Sequence, residues 1–236
     1  MKTYEYNKFN NLDAYLKDSN TALIYFHGGG LEAGSSKEFK ILAEELNKVG
    51  VDVYLPNYRL YPDAKYPEFI LDAADAVSFA VNHKKYESIY IGGTSAGSYL
   101  AMMLYFDKRY LEKHNINSED ITGYIFDAGQ PTVHFHVLRE AGHDTRQIVV
   151  DERAPLYYIN KEVNSDVKFL VFYAEFDLNT RKEETELLHK VMLNFGYNPK
   201  NLDFNLMPGM KHCQYTHTKI FIDKVINFII NDKRNA

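Results

Sequence analysis

Short apolar runs rich in β-forming residues alternate with amphipathic helical segments along most of the chain. Residues 21–26 and 51–55 have the character of buried strands, and residues 37–49 place apolar side chains at helical spacing before Gly50. The alternation continues through predicted strands at 88–91, 121–126, 167–173 and 202–207 and predicted helices at 67–82, 96–110, 181–195 and 215–230. This order predicts an α/β fold with a mostly parallel sheet and helices on both faces.

The length of the chain predicts one domain. Its 236 residues, 45% hydrophobic and 25% charged, suffice for one sizeable core, so a single domain is expected over residues 1–236. Residues 129–165 interrupt the alternation, because they hold two prolines, three histidines and only weak periodicity. This segment is predicted to be a small insertion over the sheet that serves as a lid or substrate wall.

Charge and composition narrow the choice of partner. The net charge is −5, and no stretch approaches the roughly 20 apolar residues of a membrane span, so neither nucleic acid nor a membrane is expected as a partner. A small molecule is favoured, while the question of a homo-oligomer stays open. The N-terminus has no signal-like apolar core, and the single Cys213, interpreted as a buried small residue, excludes an intrachain disulfide. A cytoplasmic location is therefore expected.

Residues 93–97 read Gly-Thr-Ser-Ala-Gly and lie between the predicted strand 88–91 and the predicted helix 96–110. A G-x-S-x-G sequence in that context forms a sharp strand-to-helix turn that exposes the serine hydroxyl at the carboxyl end of the sheet. Glycine on both sides keeps neighbouring side chains out of the turn. The pattern predicts Ser95 as a nucleophile, and the alternative is a glycine-rich turn with a capping serine.

A second glycine motif, His-Gly-Gly-Gly at residues 27–30, follows the predicted strand 21–26. Acyl transfer needs hydrogen-bond donors for the negative charge that develops on the carbonyl oxygen, and a glycine run lets backbone N–H groups turn toward a ligand. We therefore predict an oxyanion hole formed by the N–H groups of Gly28, Gly29 and Ala96, the last directly after the nucleophile.

Together with a third block, these motifs resemble the hormone-sensitive-lipase-like branch of the α/β-hydrolases, which includes many bacterial carboxylesterases. The third block reads Asn-Tyr-Arg-Leu-Tyr-Pro at residues 57–62 and continues to Asp72. The likeness is close over residues 20–110 and resumes over 167–230. It implies an α/β-hydrolase fold, a serine esterase that needs no cofactor and no metal, and a scaffold role for Arg59 and Asp72.

The chain departs from this family pattern at its N-terminus. The family's cap helices have no counterpart before residue 20. Enclosure of the substrate is therefore expected from residues 129–165.

The same resemblance implies the general base. In this fold the partners follow the nucleophile in the chain order Ser, acid, His. His212 follows the predicted strand 202–207, in the loop where the family carries its catalytic histidine. His217 is the nearest competitor, but it falls within the predicted final helix, on whose surface we expect it.

The acid should follow the predicted strand 167–173. There the sequence Ala-Glu-Phe-Asp ending at Asp177 resembles the family's Gly-x-x-Asp, with alanine in place of glycine. Asp177 would accept the imidazole N–H and stabilise the imidazolium. Glu175 and Asp127 remain alternatives as the acid, and Asp177 could instead be a helix N-cap.

Candidate substrate-binding residues are predicted from their position in the sequence alone. Gln130, His134 and Phe135 follow the predicted strand 121–126 and are candidate substrate-binding residues. His134, His136 and His143 could suggest a metal site if this segment were extended, but no matching cysteine or carboxylate cluster accompanies them, so no metal is expected.

These observations predict a serine hydrolase that cleaves small, short-acyl carboxylic esters. An amide-cleaving hydrolase, such as a formamidase or small peptidase, would use the same residues, and the motifs do not separate the two. A non-catalytic ligand-binding protein on a hydrolase scaffold is a further alternative. The presence of both Ser95 and His212 favours an enzyme.

Overall fold

The computed structural model describes residues 1–160 and 166–232. The strands in this part of the chain are β1 (Lys2–Glu5), β2 (Asn11–Tyr15), β3 (Thr21–Phe26), β4 (Asp52–Pro56), β5 (Ser88–Thr94), β6 (Gly123–Asp127), β7 (Lys168–Phe176) and β8 (Leu202–Lys211). The α-helices are α1 (Lys40–Lys48), α2 (Glu68–His83), α3 (Ala96–Phe106), α4 (Arg109–Glu112), α5 (Phe135–Glu140), α6 (Arg181–Asn194) and α7 (Lys219–Asp232).

All of these strands belong to one sheet, in the order β1-β2-β4-β3-β5-β6-β7-β8. Strands β3 to β8 pair in parallel, whereas β1 and β2 form an antiparallel edge beside β4. Helical crossovers cover a parallel sheet on both faces, so its strands are buried on both sides and are continuous apolar runs in sequence. The predicted sheet, mostly parallel with helices on both faces, is confirmed.

Strand β3 shows how the core is divided. Successive side chains of a strand point to opposite faces. Leu23 and Tyr25 pack with α1 and α7 on one face, while Ile24 and Phe26 pack with α2, α3 and α6 on the other. The sheet therefore separates two apolar clusters and presents the carboxyl ends of its strands along one edge.

Several element boundaries differ from the sequence prediction. Strands β1 and β2 were not predicted, because only Leu12 and Ala14 of β2 alternate with polar residues and β1 is largely exposed. Strand β8 continues to Lys211, since Lys211 pairs with Phe176 of β7. The final helix consequently begins at Lys219 rather than at residue 215.

The predicted insertion is packed rather than irregular over its described part, residues 129–160. It contains α5 and a 3-10 turn at Pro155–Tyr158, and Val137 and Leu138 are buried in the core. The Tyr99 hydroxyl of α3 donates to the Arg153 carbonyl at 2.7 Å. Residues 161–165 of the insertion lie outside the described residues.

The described residues contain neither a membrane-spanning helix nor a cluster of metal-ligating side chains. Within residues 1–160 and 166–232, no helix combines the length and the hydropathy that a bilayer-spanning segment requires. Across the same residues, no group of three or more His, Cys, Asp or Glu side chains is arranged to hold a metal ion.

Candidate active site

Ser95 occupies a strained turn between β5 and α3. Its backbone φ is 55° and its ψ −112°, a combination that side-chain-bearing residues rarely adopt and that costs about 1–3 kcal/mol. The turn is held on both sides, because the Ser95 N–H donates to the Asp127 carbonyl at 2.7 Å and the Ser95 carbonyl accepts from the Tyr99 N–H at 3.0 Å. The neighbouring strand and the new helix thus fix the serine at the sheet edge.

The two glycines of the pentapeptide are required by close backbone contacts. A Cβ at Gly97 would lie 2.2 Å from the Phe26 carbonyl oxygen, and one at Gly93 would lie 2.4 Å from the Gly97 carbonyl. Neither neighbour is a flexible side chain that could move away. The G-x-S-x-G pattern therefore reflects the packing of α3 against β3 as well as the turn itself.

Ser95, His212 and Asp177 form one hydrogen-bonded chain. Ser95 Oγ lies 2.9 Å from His212 Nε2, and His212 Nδ1 lies 2.5 Å from Asp177 Oδ1. The Asp177 carboxylate is buried and also accepts from the N–H groups of Leu178 at 2.7 Å and Ala174 at 3.3 Å. These bonds orient the carboxylate toward the imidazole and leave Nε2 facing the serine.

The electrostatics of Asp177 match this arrangement. Burial by itself would raise the pKa of the Asp177 carboxyl, but the hydrogen bond and charge of His212, the Leu178 N–H and the Arg181 charge outweigh it and lower the pKa. The carboxylate is consequently ionised at neutral pH.

The competing residues do not join this chain. Glu175 is exposed and accepts from the Gly209 N–H at 2.7 Å. His217 is exposed, as expected, but it lies before α7 rather than within it, and its ring packs against Phe39 with the centroids 5.4 Å apart. Among the three carboxylates considered from the sequence, only Asp177 contacts His212.

Asp127 lies buried beneath the serine turn. Its Oδ2 accepts from the hydroxyls of Thr94 at 2.7 Å and Thr216 at 3.0 Å, so it joins the residue before the serine to the segment after His212. Burial raises the pKa of Asp127 to about 6, although the hydroxyl donors and the nearby His212 counteract this effect. The carboxylate supports the turn without contacting the imidazole through a hydrogen bond.

The glycine loop after β3 lies against the serine. A Cβ at Gly28 would be 3.4 Å from Ser95 Cβ, and Gly29 has a φ of +102°, where a side chain is strained. No hydrogen bond within the described residues uses the N–H groups of Gly28, Gly29 or Ala96. Because backbone N–H groups are seldom left unpaired, these three donors are available to a ligand or to water.

Side chains of the third sequence block support this loop. The Tyr58 hydroxyl donates to the His27 carbonyl at 2.8 Å, and the two rings stack with centroids 4.3 Å apart. Arg59 binds Asp72 through Nε and Nη2, each at 2.9 Å, and also contacts Glu68. Arg59 and Asp72 therefore form a scaffold contact away from the reacting groups.

A pocket of about 310 Å³ opens in front of Ser95 and His212. Phe135, predicted from its position, lines it, together with Phe39 and Leu178. Cys213, predicted to be buried, is half-buried and also lines it, and burial raises the pKa of its thiol.

The other two residues predicted from their position, Gln130 and His134, lie behind the residues that line this pocket. Gln130 is buried and its Oε1 accepts from the Phe135 N–H and from Arg181 Nη2. His134 is fully buried, and its Nδ1 accepts from the His136 N–H at the start of α5. The segment is therefore helical rather than extended at this point, and neither side chain lines the pocket in front of Ser95.

Residues 23–216 match the sequence profile of a family described as alpha/beta hydrolase fold. The chain belongs to the α/β-hydrolase family. This α/β-hydrolase is 31% identical over 88 residues to an esterase from Gibberella moniliformis, an alignment that covers 35% of this chain and 28% of that protein. The matched segment spans about a quarter of the length of the curated relatives.

Solved structures of an esterase from Thermogutta terrifontis resemble this α/β-hydrolase over almost its whole length. Its propionate-bound form aligns with a TM-score of 0.79 at 18% identity, covering 98% of this chain and 94% of that chain. Its butyrate-bound form aligns with a TM-score of 0.76 at 18% identity, covering 98% and 92%. At this level of identity the likeness shows the fold, and it confirms the predicted fold class.

Several pocket residues of this α/β-hydrolase were not found from the sequence. Phe39 precedes α1, and Leu178 follows Asp177 directly, yet neither carries a motif. Thr94 lies inside the pentapeptide at a position where any residue satisfies the pattern, although its hydroxyl binds Asp127. Adjacency to Asp177 was the available signal for Leu178.

Proposed function

We propose that this α/β-hydrolase is a serine esterase that cleaves small carboxylic esters through an acyl-enzyme on Ser95. The observation that carries the proposal is the hydrogen-bonded chain from Ser95 Oγ through His212 to Asp177. A serine hydroxyl becomes an effective nucleophile when an oriented general base takes its proton. In this hydrogen-bonded chain, His212 is that base and Asp177 is the carboxylate that orients it.

In the proposed first step, Ser95 Oγ attacks the ester carbonyl carbon and its proton passes to His212 Nε2. Asp177 holds the Nδ1–H and stabilises the imidazolium, and the N–H groups of Gly28, Gly29 and Ala96 bind the oxyanion. His212 then protonates the departing alkoxide. In the second step His212 takes a proton from water as the water oxygen attacks the acyl carbonyl. The bond between Ser95 Oγ and the acyl carbon then breaks, His212 returns the proton to Oγ, and the acid is released.

A short acyl group is proposed from the size of the pocket. The cavity of about 310 Å³ is bounded by the rings of Phe39 and Phe135, and Phe135 lies close to Gly30 of the glycine loop. The Thermogutta terrifontis esterase of similar fold binds propionate and butyrate, which are short acids. We therefore place acetyl to butyryl esters as the preferred class and assign the described part of residues 129–165 as its substrate wall.

Hydrolysis of 4-nitrophenyl esters from acetate to octanoate tests this proposal. The wild type should turn over acetate and butyrate best, and Ser95→Ala and His212→Ala should each lower kcat by a factor of about 10⁴ or more. Asn205→Ala, a change on β8 away from the pocket, serves as the control. An inactive wild type, or full activity in Ser95→Ala, would refute the proposal and make amide substrates the next measurement.

A further inference from the structure

A second cavity lies beside the catalytic pocket. It has a volume of about 180 Å³ and lies between the insertion and the start of α6. Phe135 and Leu178 line both cavities, so the two share a wall next to Asp177. The two cavities therefore adjoin each other at these two side chains.

The second cavity contains a buried cation, Arg181. This residue is only 4% exposed, and its guanidinium donates from Nη1 to the Ala128 carbonyl at 2.9 Å and from Nη2 to Gln130 Oε1 at 3.0 Å. Both acceptors are neutral. Among the described residues, Arg181 forms no ion pair with a carboxylate, and only two of its five N–H hydrogens are bonded within the protein.

A buried guanidinium without an ion pair lowers the stability of the protein when no ligand is bound. A buried charge is normally paired, because removal from water costs several kcal/mol and neutral hydrogen bonds recover only part of it. Burial accordingly lowers the pKa of the Arg181 guanidinium, although the nearby charges of Glu184 and Asp177 counteract this effect. An anionic ligand would supply the missing partner, and a planar guanidinium is suited to bind a carboxylate in a bidentate manner.

The other charged groups of the cavity do not replace that partner. Glu184 is buried, and its two oxygens accept from the hydroxyls of Thr132 and Thr180, each at 2.7 Å. Arg146 also lines the cavity, but its side chain is 80% exposed and pairs with Asp144, which does not belong to the wall. Arg181 is therefore the buried cation of this cavity, and within the described residues it forms no ion pair.

The wall also fits a polar group better than a hydrocarbon chain. All of the residues that line the second cavity are polar except Phe135 and Leu178. Thr180 and Arg181 stand at the first turn of α6, a helix of 14 residues, where backbone dipoles favour negative charge. Both features favour an anion over an extended acyl chain.

We propose that this cavity binds a carboxylate of the substrate through Arg181, so that the preferred esters carry a free carboxylate a few atoms from the scissile bond. This inference rests on the proposed esterase function and names the substrate class of the same site. Gln130, predicted as a substrate-binding residue, acts here as a positioning residue that holds the guanidinium.

Matched substrates test the proposal and locate the carboxylate. Mono-4-nitrophenyl glutarate compared with 4-nitrophenyl valerate places the charge on the acyl side. 4-Acetoxybenzoate compared with its methyl ester places it on the alcohol side. We expect kcat/KM to be higher for the charged member of one pair by about tenfold or more, as a charge-assisted hydrogen bond predicts. Rates with Ser95→Ala correct for uncatalysed hydrolysis.

Substitution of the cation gives the second readout. Arg181→Met should reduce the charged-to-neutral ratio of kcat/KM by about tenfold or more, and Arg181→Lys should recover part of it because the charge remains without the planar fork. Lys182→Met is the matched control, since it removes a positive charge from the next residue of α6, where Lys182 pairs with Glu186 at 3.4 Å. Its ratio should equal that of the wild type.

A binding measurement separates this proposal from the esterase proposal. Glutarate should bind to folded Ser95→Ala in a calorimetric titration, and glutaramide, its neutral counterpart, should bind about tenfold more weakly or not at all. If neutral esters are cleaved without preference for either charged ester, the carboxylate proposal fails while the esterase proposal stands. If no ester is cleaved, glutarate binding that requires Arg181 still supports the anion site, and equal binding of the two ligands refutes it.

Discussion

Ser95 stands on a turn in which backbone atoms leave no space for one added carbon, whereas the insertion over the pocket, residues 129–160, has open space around Gly142. The turn is held by contacts between neighbouring strands and the first residues of α3. The insertion is held by side chains that are far apart in sequence, such as Thr132 with Glu184 and Tyr99 with the Arg153 carbonyl.

The serine turn belongs to the part of the molecule that carries out the proposed reaction, whereas the insertion belongs to the part that would select the substrate. The reacting groups follow strand ends of a sheet whose geometry permits few alternatives. The wall of the second cavity depends on individual side chains of the insertion and of α6, and the insertion contributes Phe135 to the catalytic pocket. These side chains can change without disturbing the sheet. Substitutions of the reacting groups and of the wall residues should therefore differ in the size of their effect and in the property that they change.

After the serine and the histidine, the largest effect is expected from substitution of the acid, Asp177. Asp177→Asn should lower kcat by about 10³ to 10⁴, because an amide neither holds the required tautomer nor stabilises the imidazolium. Glu175→Gln is the control, and its kcat should stay within about threefold of the wild type, since Glu175 is exposed and its hydrogen bond among the described residues is to the Gly209 N–H. Equal losses in the two variants would show that the acid has been wrongly assigned.

The second prediction compares two glycines by urea unfolding. Gly97→Ala should destabilise the protein by about 3 kcal/mol or more, because the new Cβ would meet the Phe26 carbonyl oxygen at 2.2 Å. Gly142→Ala in the insertion should cost about 1 kcal/mol, since its φ of +74° is strained for alanine but nothing lies within 4 Å. Similar costs at the two positions would remove the contrast between the regions.

The third prediction concerns stability and pH. The folded protein holds the pKa of Asp127 at about 6, above the ordinary 3.8, because of burial. The stability that this proton contributes is therefore complete below about pH 4 and is lost as the pH rises through about 6. Asn stays neutral, so Asp127→Asn should gain roughly 1–3 kcal/mol on the wild type between about pH 4 and pH 8.

Urea unfolding of both proteins at each pH measures this difference. Every other titrating group is shared, so the change with pH reports on Asp127. A variant that loses stability relative to the wild type as the pH rises would show that the carboxylate is better stabilised as an anion than its burial implies.

The smallest effect is expected from the insertion side. Phe135→Ala enlarges the wall of the catalytic pocket, so the ratio of kcat/KM for hexanoate to butyrate should rise by about fourfold per methylene accommodated. Tyr157→Ala is the control within the same segment, because Tyr157 is 58% exposed, and it should leave the ratio unchanged. An unchanged ratio in Phe135→Ala would place the acyl group elsewhere.

The sequence predicted the buried strands and the serine turn better than the edge strands and the insertion, because the former constrain residue type more strongly. The strands buried on both faces, such as β3, were found because burial demands continuous apolar residues, and Ser95 was found because its turn demands glycine. Strands β1 and β2 and the packed structure of the predicted insertion escaped prediction, since edge strands and loops meet weaker constraints on residue type.

The sequence by itself determined the parallel strands β3 to β8 and the serine turn, because burial on both faces and the backbone geometry of the turn restrict which residues can stand there. The family resemblance supplied the candidates for base and acid. Only the tertiary structure decided that Asp177 rather than Glu175 or Asp127 contacts His212, and that Arg181 is buried beside the pocket without a carboxylate partner. Those outcomes depend on distances between residues remote in sequence, which no local pattern encodes.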